Sequence, residues 1–374
     1  MLFTNALIFQ GKKGFVRGSL RFENGMITEI TAGENGETGE DLSGARIIPG
    51  LVDIHIHGCA GTDFSDGSTE GLLQMGSFLA KRGITSFAPA SMSLPYEELR
   101  KAFRSAAEYT AERSSTQARL AGIHMEGPYL SEKKKGAQNG EYLKSPDPEM
   151  FLKLQEECSG LIKIVDLAPE LAGAEAFIKR ISGSCRVSLA HTEADYEQAM
   201  RAFRAGAAHV THLFNAMPPL HHRMPGVIGA AFDAGNVCTE LICDGVHIHP
   251  AAVRMAFRLF PGRLCLVSDA ARCCGMPDGW YDLGGQQVKL ENGTVRLADG
   301  TIAGAGSDLF TDMINAIKFG IPEEEAVAAA TLIPAREAGI DAETGSLEPG
   351  KRADLVICDR EWKIKAVFVG GNRV

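Results

Sequence analysis

The chain has 374 residues, of which 45% are apolar, 7% aromatic and 23% charged. This is the balance of an ordinary globular protein with room for one large domain and a smaller one. Its 38 basic and 47 acidic residues leave a net charge of -9, which argues against nucleic acid or an anionic membrane as the partner but allows a locally positive pocket.

Met1 to Gln10 lacks the basic start and apolar run of a signal peptide, and no stretch has the length of a membrane-spanning helix. The nine cysteines are scattered, without Cys-x-x-Cys spacing. They read as reduced thiols, so the expectation is a cytoplasmic protein.

Residues 1 to about 47 read as short strands: Phe3 to Phe9, Gly18 to Glu23 and Met26 to Ile30, with an Asn24-Gly25 hairpin turn. Glu34 to Glu40 is a Gly/Glu-rich loop. The far end has the same character, with strands at Ala353–Ile357 and Lys365–Gly371. Both ends therefore predict one small β-sandwich domain, residues 1–47 plus 343–374, around a long middle.

The middle, 48–342, alternates apolar runs with amphipathic stretches, the pattern of βα units. Strand candidates end at His57, Ser91, Glu126, Pro169, His191, Ala216, His247 and Ala270. The last three begin at His209, Cys238 and Arg263. Helices are predicted at Glu70–Arg82, Glu97–Glu112, Pro148–Glu157 and Glu193–Ala205. Eight such units match a (β/α)8 barrel of roughly 250 residues. A doubly wound sheet would need a glycine fingerprint after an early strand, and none is present. Gly304-Ala305-Gly306 reads as a turn.

Barrel enzymes carry their chemistry at the C-terminal ends of strands. His55, His57, Glu126, His191, His212, His247 and Asp269 all fall at or just past such ends. Residues two apart in a strand face the same side, so His55 and His57 aim both imidazoles at one point. The bland reading of His-x-His is two histidines bonded separately in a polar pocket. Seven such residues on six strands favour a divalent metal centre instead. Imidazole and carboxylate without thiolate suit Zn, Fe(II), Mn, Co or Ni, and an aspartate beside a metal-activated water is a natural general base.

Pro49–Gly58 (Pro-Gly-Leu-Val-Asp-Ile-His-Ile-His-Gly) resembles the first-strand motif of the amidohydrolase superfamily. Gly122–Pro128, Leu189–Thr192, Thr211–Met217, Asp244–His247 and Ser268–Ala270 are similar to the N-acetylglucosamine-6-phosphate deacetylase family within it, and the likeness covers essentially the whole chain. It implies hydrolysis of the acetamide of N-acetylglucosamine 6-phosphate to glucosamine 6-phosphate and acetate, in amino-sugar catabolism and cell-wall sugar recycling.

It also implies roles for residues. Glu126, His191 and His212 match the principal metal site, and Asp269 the catalytic acid/base. Retention of His55 and His57 implies a second ion, one or two per chain in all, with Glu126 bridging and Asp269 available as a ligand. His247 matches a substrate-binding histidine, and Asn215 and the Ala216 backbone match the phosphate-binding segment. Arg223 matches an arginine that reaches the phosphate of a neighbouring subunit, hence a homodimer. Gln138 stands where some members have a histidine near the substrate carbonyl; an amide donates a hydrogen bond there but does not titrate.

Other residues take plainer readings. His124 supports the site without ligating, and His209, His221, His222 and His249 pack or face solvent. Lys133-Lys134-Lys135 is a solvated loop near the pocket mouth, and Cys273-Cys274 are free thiols. The rivals are another amidohydrolase, one acting on a related N-acetylated sugar phosphate, and a non-catalytic metal-binding relative. The presence of Asp269 and the absence of a bridging lysine weigh against a catalytically idle relative and a cyclic amidase, respectively.

Overall fold

A computed structural model of the chain describes residues 1–33, 36 and 38–374. The loop expected at Glu34–Glu40 falls partly outside them, at positions 34, 35 and 37. Among the described residues both termini contribute to one eight-stranded sheet. Leu2–Phe9, Phe15–Glu23 and Met26–Ala32 form an antiparallel meander whose second hairpin turns at Asn24 and Gly25, both at positive φ as an Asn-Gly turn requires.

Arg46–Pro49 joins the two ends, pairing with Leu2–Phe9 on one side and Leu355–Cys358 on the other. Phe3, Phe22 and Phe368 sit against one another with ring centroids 5.6 to 5.8 Å apart, at the centre of this sheet's own small core. Arg46 ties the sheet to the barrel helices. Its guanidinium stacks 4.6 Å from the Trp362 ring and bonds Glu323 at 3.0 Å.

The barrel strands are β1 (Leu51–Ile56), β2 (Ile84–Ser91), β3 (Ile123–Tyr129), β4 (Ile162–Leu167), β5 (Arg186–Leu189), β6 (His209–Val210), β7 (Cys238–Ile242) and β8 (Leu264–Val267). They pair in parallel in chain order. The ring closes where the Asp269 N–H meets His55 O and the His57 and Gly58 N–H groups meet Ala270 O, each at 2.9 Å. Every residue of β1 and β2 is buried, which is why these strands read as continuous apolar runs rather than alternating ones.

The predicted helices form with small shifts at their ends. Pro148–Glu157 starts where Asp147 caps the Glu149 and Met150 N–H groups. Tyr196–Ala205 starts later than the pattern implied because Asp195 and Gln198 form a capping box. The run His209–Ala216 is not one strand. It stops at Val210, and His212, Phe214 and Ala216 take positive φ. The backbone has to turn there to carry His212 over the barrel mouth.

Beneath that mouth the barrel interior holds buried charge. Glu240, on β7, accepts hydrogen bonds from His55 Nδ1 (2.9 Å) and His209 Nε2 (3.1 Å). His209 Nδ1 faces Glu337 at 2.9 Å. His124 places Nδ1 on Ile54 O (3.0 Å) and Nε2 on Asp166 Oδ1 (2.9 Å), so both ring nitrogens face acceptors and both carry protons. Burial pulls the His124 pKa down, but the carboxylates of Asp166 and Glu240 outweigh it and raise it to about 9.

The native state thus holds this proton more tightly than the unfolded chain, where the histidine titrates near 6.5. Its stabilisation is fully present below that value and is lost as pH rises through about 9. Urea unfolding of metal-free protein should show a midpoint that falls between neutral pH and pH ~10. In His124→Gln that fall should be smaller, and an equal fall in the two proteins would contradict the assignment.

Candidate active site

Six side chains from five strands converge at the C-terminal mouth of the barrel. His55 and His57 come from the end of β1 and the residue past it, Glu126 from within β3, and His191, His212 and Asp269 from just beyond β5, β6 and β8. All six are buried, the most exposed being Asp269 at 7%. His191, His212 and Asp269 have positive φ, a strained backbone that turns each side chain off its strand axis and into the mouth.

Glu126 is the hub. Its Oε1 lies 3.1 Å from both His191 Nε2 and His212 Nε2, and its Oε2 lies 3.3 Å from His57 Nε2. Asp269 Oδ1 is 3.2 Å from His57 Nε2 and 3.6 Å from His55 Nε2. Two compact donor groups result, Glu126/His191/His212 and His55/His57/Glu126, with the donor atoms of each within 4.8 Å of one another. Glu126 belongs to both, as a bridging carboxylate must.

The donor set fits divalent ions on a point independent of composition. His191 Nδ1 lies 2.7 Å from Lys134 O, His57 Nδ1 3.1 Å from Ala90 O and His55 Nδ1 2.9 Å from Glu240. Each acceptor takes a proton at Nδ1, so the neutral ring turns an Nε2 lone pair to the centre; without an ion, His191 Nε2 and His57 Nε2 face the Glu126 carboxylate there instead. His191 Nε2 and His212 Nε2 stand 3.1 Å apart. His55 Nε2, fully buried, has no hydrogen-bond partner among the described residues. Imidazole nitrogens gathered this closely around one buried carboxylate form a donor set suited to a cation.

The charges follow the same geometry. Burial pushes the Glu126 carboxyl up, but hydrogen bonds from His191, His212 and His57 hold it well below the usual carboxylate range. For Asp269 burial again raises, while the hydrogen bond from His57 and the nearby His55 and His57 lower it on balance. Both acids are therefore ionised at neutral pH.

A cavity of about 380 Å³ opens over the cluster, a volume suited to a small polar substrate. Besides the cluster it is lined by Lys133, Lys134, Gln138, Asn215, Ala216 and His247. Gln138 is fixed by its surroundings. Its Oε1 accepts from the Ser93 N–H at 2.6 Å, so its amide nitrogen faces Glu126 Oε2 at 2.5 Å. His247 Nδ1 donates to Asp244 at 2.7 Å, which leaves Nε2 for a ligand. Arg223 is elsewhere. It is exposed and lines a separate cavity with Glu193, Tyr196, Pro218 and Met224. His124 turns away from the mouth toward Asp166, as expected of a supporting residue.

Two features escaped the sequence. Glu240 lies mid-strand inside an apolar run, with nothing local to mark it. The other is a four-stranded antiparallel insert after β8, spanning Gly279–Leu283, Gln286–Glu291, Thr294–Leu297 and Ile302–Ala305. Its Asn292-Gly293 turn was the available signal. Gly304 and Ala305, expected to form a turn, belong to its last strand, and the Ala305 N–H bonds Asp269 O at 2.7 Å. Leu283 and Thr301 to Gly304 close one wall of the pocket.

Comparison with known proteins gives the family. The amidohydrolase family model matches residues 46–374. An N-acetylglucosamine-6-phosphate deacetylase of Bacillus subtilis is 40% identical over 87% of this chain and 84% of its own length. An N-acetylgalactosamine-6-phosphate deacetylase of Escherichia coli O157:H7 is 33% identical over 94% of this chain and 93% of its own. The structure of a Mycobacterium smegmatis N-acetyl-D-glucosamine-6-phosphate deacetylase variant, in complex with N-acetyl-D-glucosamine-6-phosphate, superposes with a TM-score of 0.94 at 31% identity, covering 100% of this chain and 98% of that one. The chain belongs to the amidohydrolase family and, within it, to the N-acetylglucosamine-6-phosphate deacetylases.

Proposed function

We propose that this protein hydrolyses the acetamide of N-acetylglucosamine 6-phosphate, giving glucosamine 6-phosphate and acetate in amino-sugar breakdown. The observation that carries the reading is Asp269, ionised and 3.2 Å from His57 Nε2, in a pocket that Lys133, Lys134, Gln138, Asn215 and His247 also line. His191, His212 and Glu126 would hold one divalent ion, and His55 and His57, with Glu126 and Asp269, a second. Such ions acidify water and polarise a carbonyl oxygen.

The chain's own groups do the rest. Asp269 takes a proton from the attacking water and returns it to the sugar nitrogen, so that the C–N bond breaks to a neutral amine and acetic acid, whose own proton passes on to give acetate and the ammonium form of the sugar. Gln138 holds Glu126 in orientation and has a second amide hydrogen available to the substrate carbonyl. His247, fixed by Asp244, and the Asn215–Ala216 turn bind the sugar phosphate, with Lys133 and Lys134 adding positive charge at the mouth. The free cysteines suit a reducing, cytoplasmic setting.

The phosphate end is completed by a partner copy. Supporting this, Arg223 lines no part of its own chain's pocket, and its loop exposes Leu220 (44%) and Met224 (68%). A guanidinium suits phosphate because its donors form a planar fork.

Purified protein loaded with Zn(II) should release acetate from N-acetylglucosamine 6-phosphate. The Escherichia coli relative gives a specific reason to assay N-acetylgalactosamine 6-phosphate beside it. Release from the galactosamine ester alone would reassign the sugar, and release from neither would remove the activity. Asp269→Asn should lower kcat on the order of 10²-fold or more while changing substrate binding far less. Arg223→Ala should raise KM for the phosphorylated sugar and leave the unphosphorylated sugar little affected. Mixed Asp269→Asn and Arg223→Ala protomers should regain activity at low substrate. Subunit exchange without recovery would place Arg223 outside the neighbour's site.

A further inference from the structure

We infer that Glu240 is a positioning residue for the second ion, acting through His55. The inference rests on the two-ion reading above and adds to it the group that prepares the second position.

Glu240 is fully buried on β7, below the mouth and out of reach of substrate. Its Oε2 accepts from His55 Nδ1 at 2.9 Å and from the His212 N–H at 3.2 Å, and its Oε1 accepts from His209 Nε2 at 3.1 Å. Three donors thus meet two carboxylate oxygens. On its other side, His55 Nε2 is 3.6 Å from both Glu126 Oε1 and Asp269 Oδ1.

Those two carboxylates would themselves attract a proton to Nε2. A neutral imidazole carries one proton, and the tautomer with that proton on Nε2 cannot donate a lone pair to a metal. The shorter bond to Glu240 decides the competition. It draws the proton to Nδ1 and leaves Nε2 free, in keeping with that nitrogen being buried without a hydrogen-bond partner among the described residues.

The other Nδ1 acceptors are main-chain: Ala90 O for His57 and Lys134 O for His191. No side-chain substitution removes a carbonyl. Among the acceptors that orient these histidines, Glu240 is the side chain, so this is where a mutation reaches the tautomer. Carboxylates that orient metal-binding histidines typically contribute 10- to 100-fold to affinity.

The test uses the full-length chain stripped of metal and titrated with Zn(II), with bound metal counted by mass spectrometry and affinities measured against a competing chelator. Wild type should bind two ions. In Glu240→Gln, one neutral oxygen replaces the carboxylate before the same three donors. Its second ion should bind about 10- to 100-fold more weakly, while the first is little changed. Adding Glu240→Gln to His55→Ala, which already lacks the second ion, should then cost the first ion nothing further.

A wild type that never exceeds one ion under excess Zn(II) ends the two-ion reading, and this inference with it. Two ions in wild type with an unweakened second ion in Glu240→Gln overturns the positioning role alone. Equal weakening of both ions, with a matching loss of thermal stability, shows a merely structural role and overturns it too. Nitrogen NMR of the metal-free wild type gives a check that needs no folded Glu240 variant. His55, identified by the signal missing in His55→Gln, should carry its proton on Nδ1, and a proton on Nε2 refutes the inference.

Discussion

The site depends on how the barrel closes between its first and last strands. The Asp53 carboxylate, fully buried, accepts from the Ser268 hydroxyl at 2.6 Å, from the Ser268 N–H at 3.3 Å and from the His55 N–H at 3.3 Å. Burial drives the Asp53 pKa up to about 7 against the pull of these bonds. Together with the Asp269 N–H to His55 O contact, this clamp fixes β1 and β8 at one register. Asp269, proposed here to move the protons, and the histidines that would share an ion with it come from opposite ends of the barrel sequence. Only this seam brings them within 3.2 Å.

The same mouth carries backbone strain. Asp269, His191, His212 and Ala216 all adopt positive φ, at about 1–3 kcal/mol for a non-glycine residue. What holds them is a collar of main-chain bonds: Thr192 N–H to Ala216 O at 3.0 Å, Ser131 N–H to His191 O at 2.9 Å, and Leu213 N–H to Glu240 O at 2.9 Å. The insert strand adds a further bond, from the Ala305 N–H to Asp269 O. A segment remote from the ion cluster thus contributes to the aim of Asp269.

Much of this was legible in the sequence. The eight strand positions, the terminal strands and the converging residues follow from apolar runs that end in histidine or acid, because a parallel barrel buries its strands and spends their C-terminal ends on chemistry. What was not legible depended on tertiary context. The run from His209 to Ala216 looks like a strand, since local hydrophobicity cannot report that the chain must turn to deliver His212. Glu240 looks misplaced between Thr239 and Leu241 until histidines from three other strands are seen around it. The insert was missed although its turns are marked by Asn-Gly and Gly-Gly, because its strands are short and half-exposed. Arg223, by contrast, resembles a site residue in sequence but lies away from its own chain's pocket.

Residue type alone would nominate another metal centre. His209, Cys238 and Glu337 also lie within 4.8 Å of one another, largely buried, near the opposite end of the strands. Hydrogen-bond satisfaction separates this cluster from the mouth. His209 has an acceptor at each ring nitrogen, Glu337 on one side and Glu240 on the other, and Cys238 Sγ rests 3.5 Å from Cys265 Sγ. Burial alone would lower the His209 pKa. Contacts with Cys238, Glu240 and Glu337 instead raise it well above the ordinary value, so the ring is a cation paired with its own counter-charges. Such a cluster is complete without an ion and joins β6, β7 and a barrel helix. At the mouth two imidazole nitrogens 3.1 Å apart crowd the same Glu126 oxygen, and His55 Nε2 and His212 Nδ1 have no hydrogen-bond partner among the described residues. A buried polar group left unpaired is costly, so it persists only where something absent from the polypeptide completes it. By that measure the mouth is built to receive ions, and the lower cluster is built to hold the barrel together.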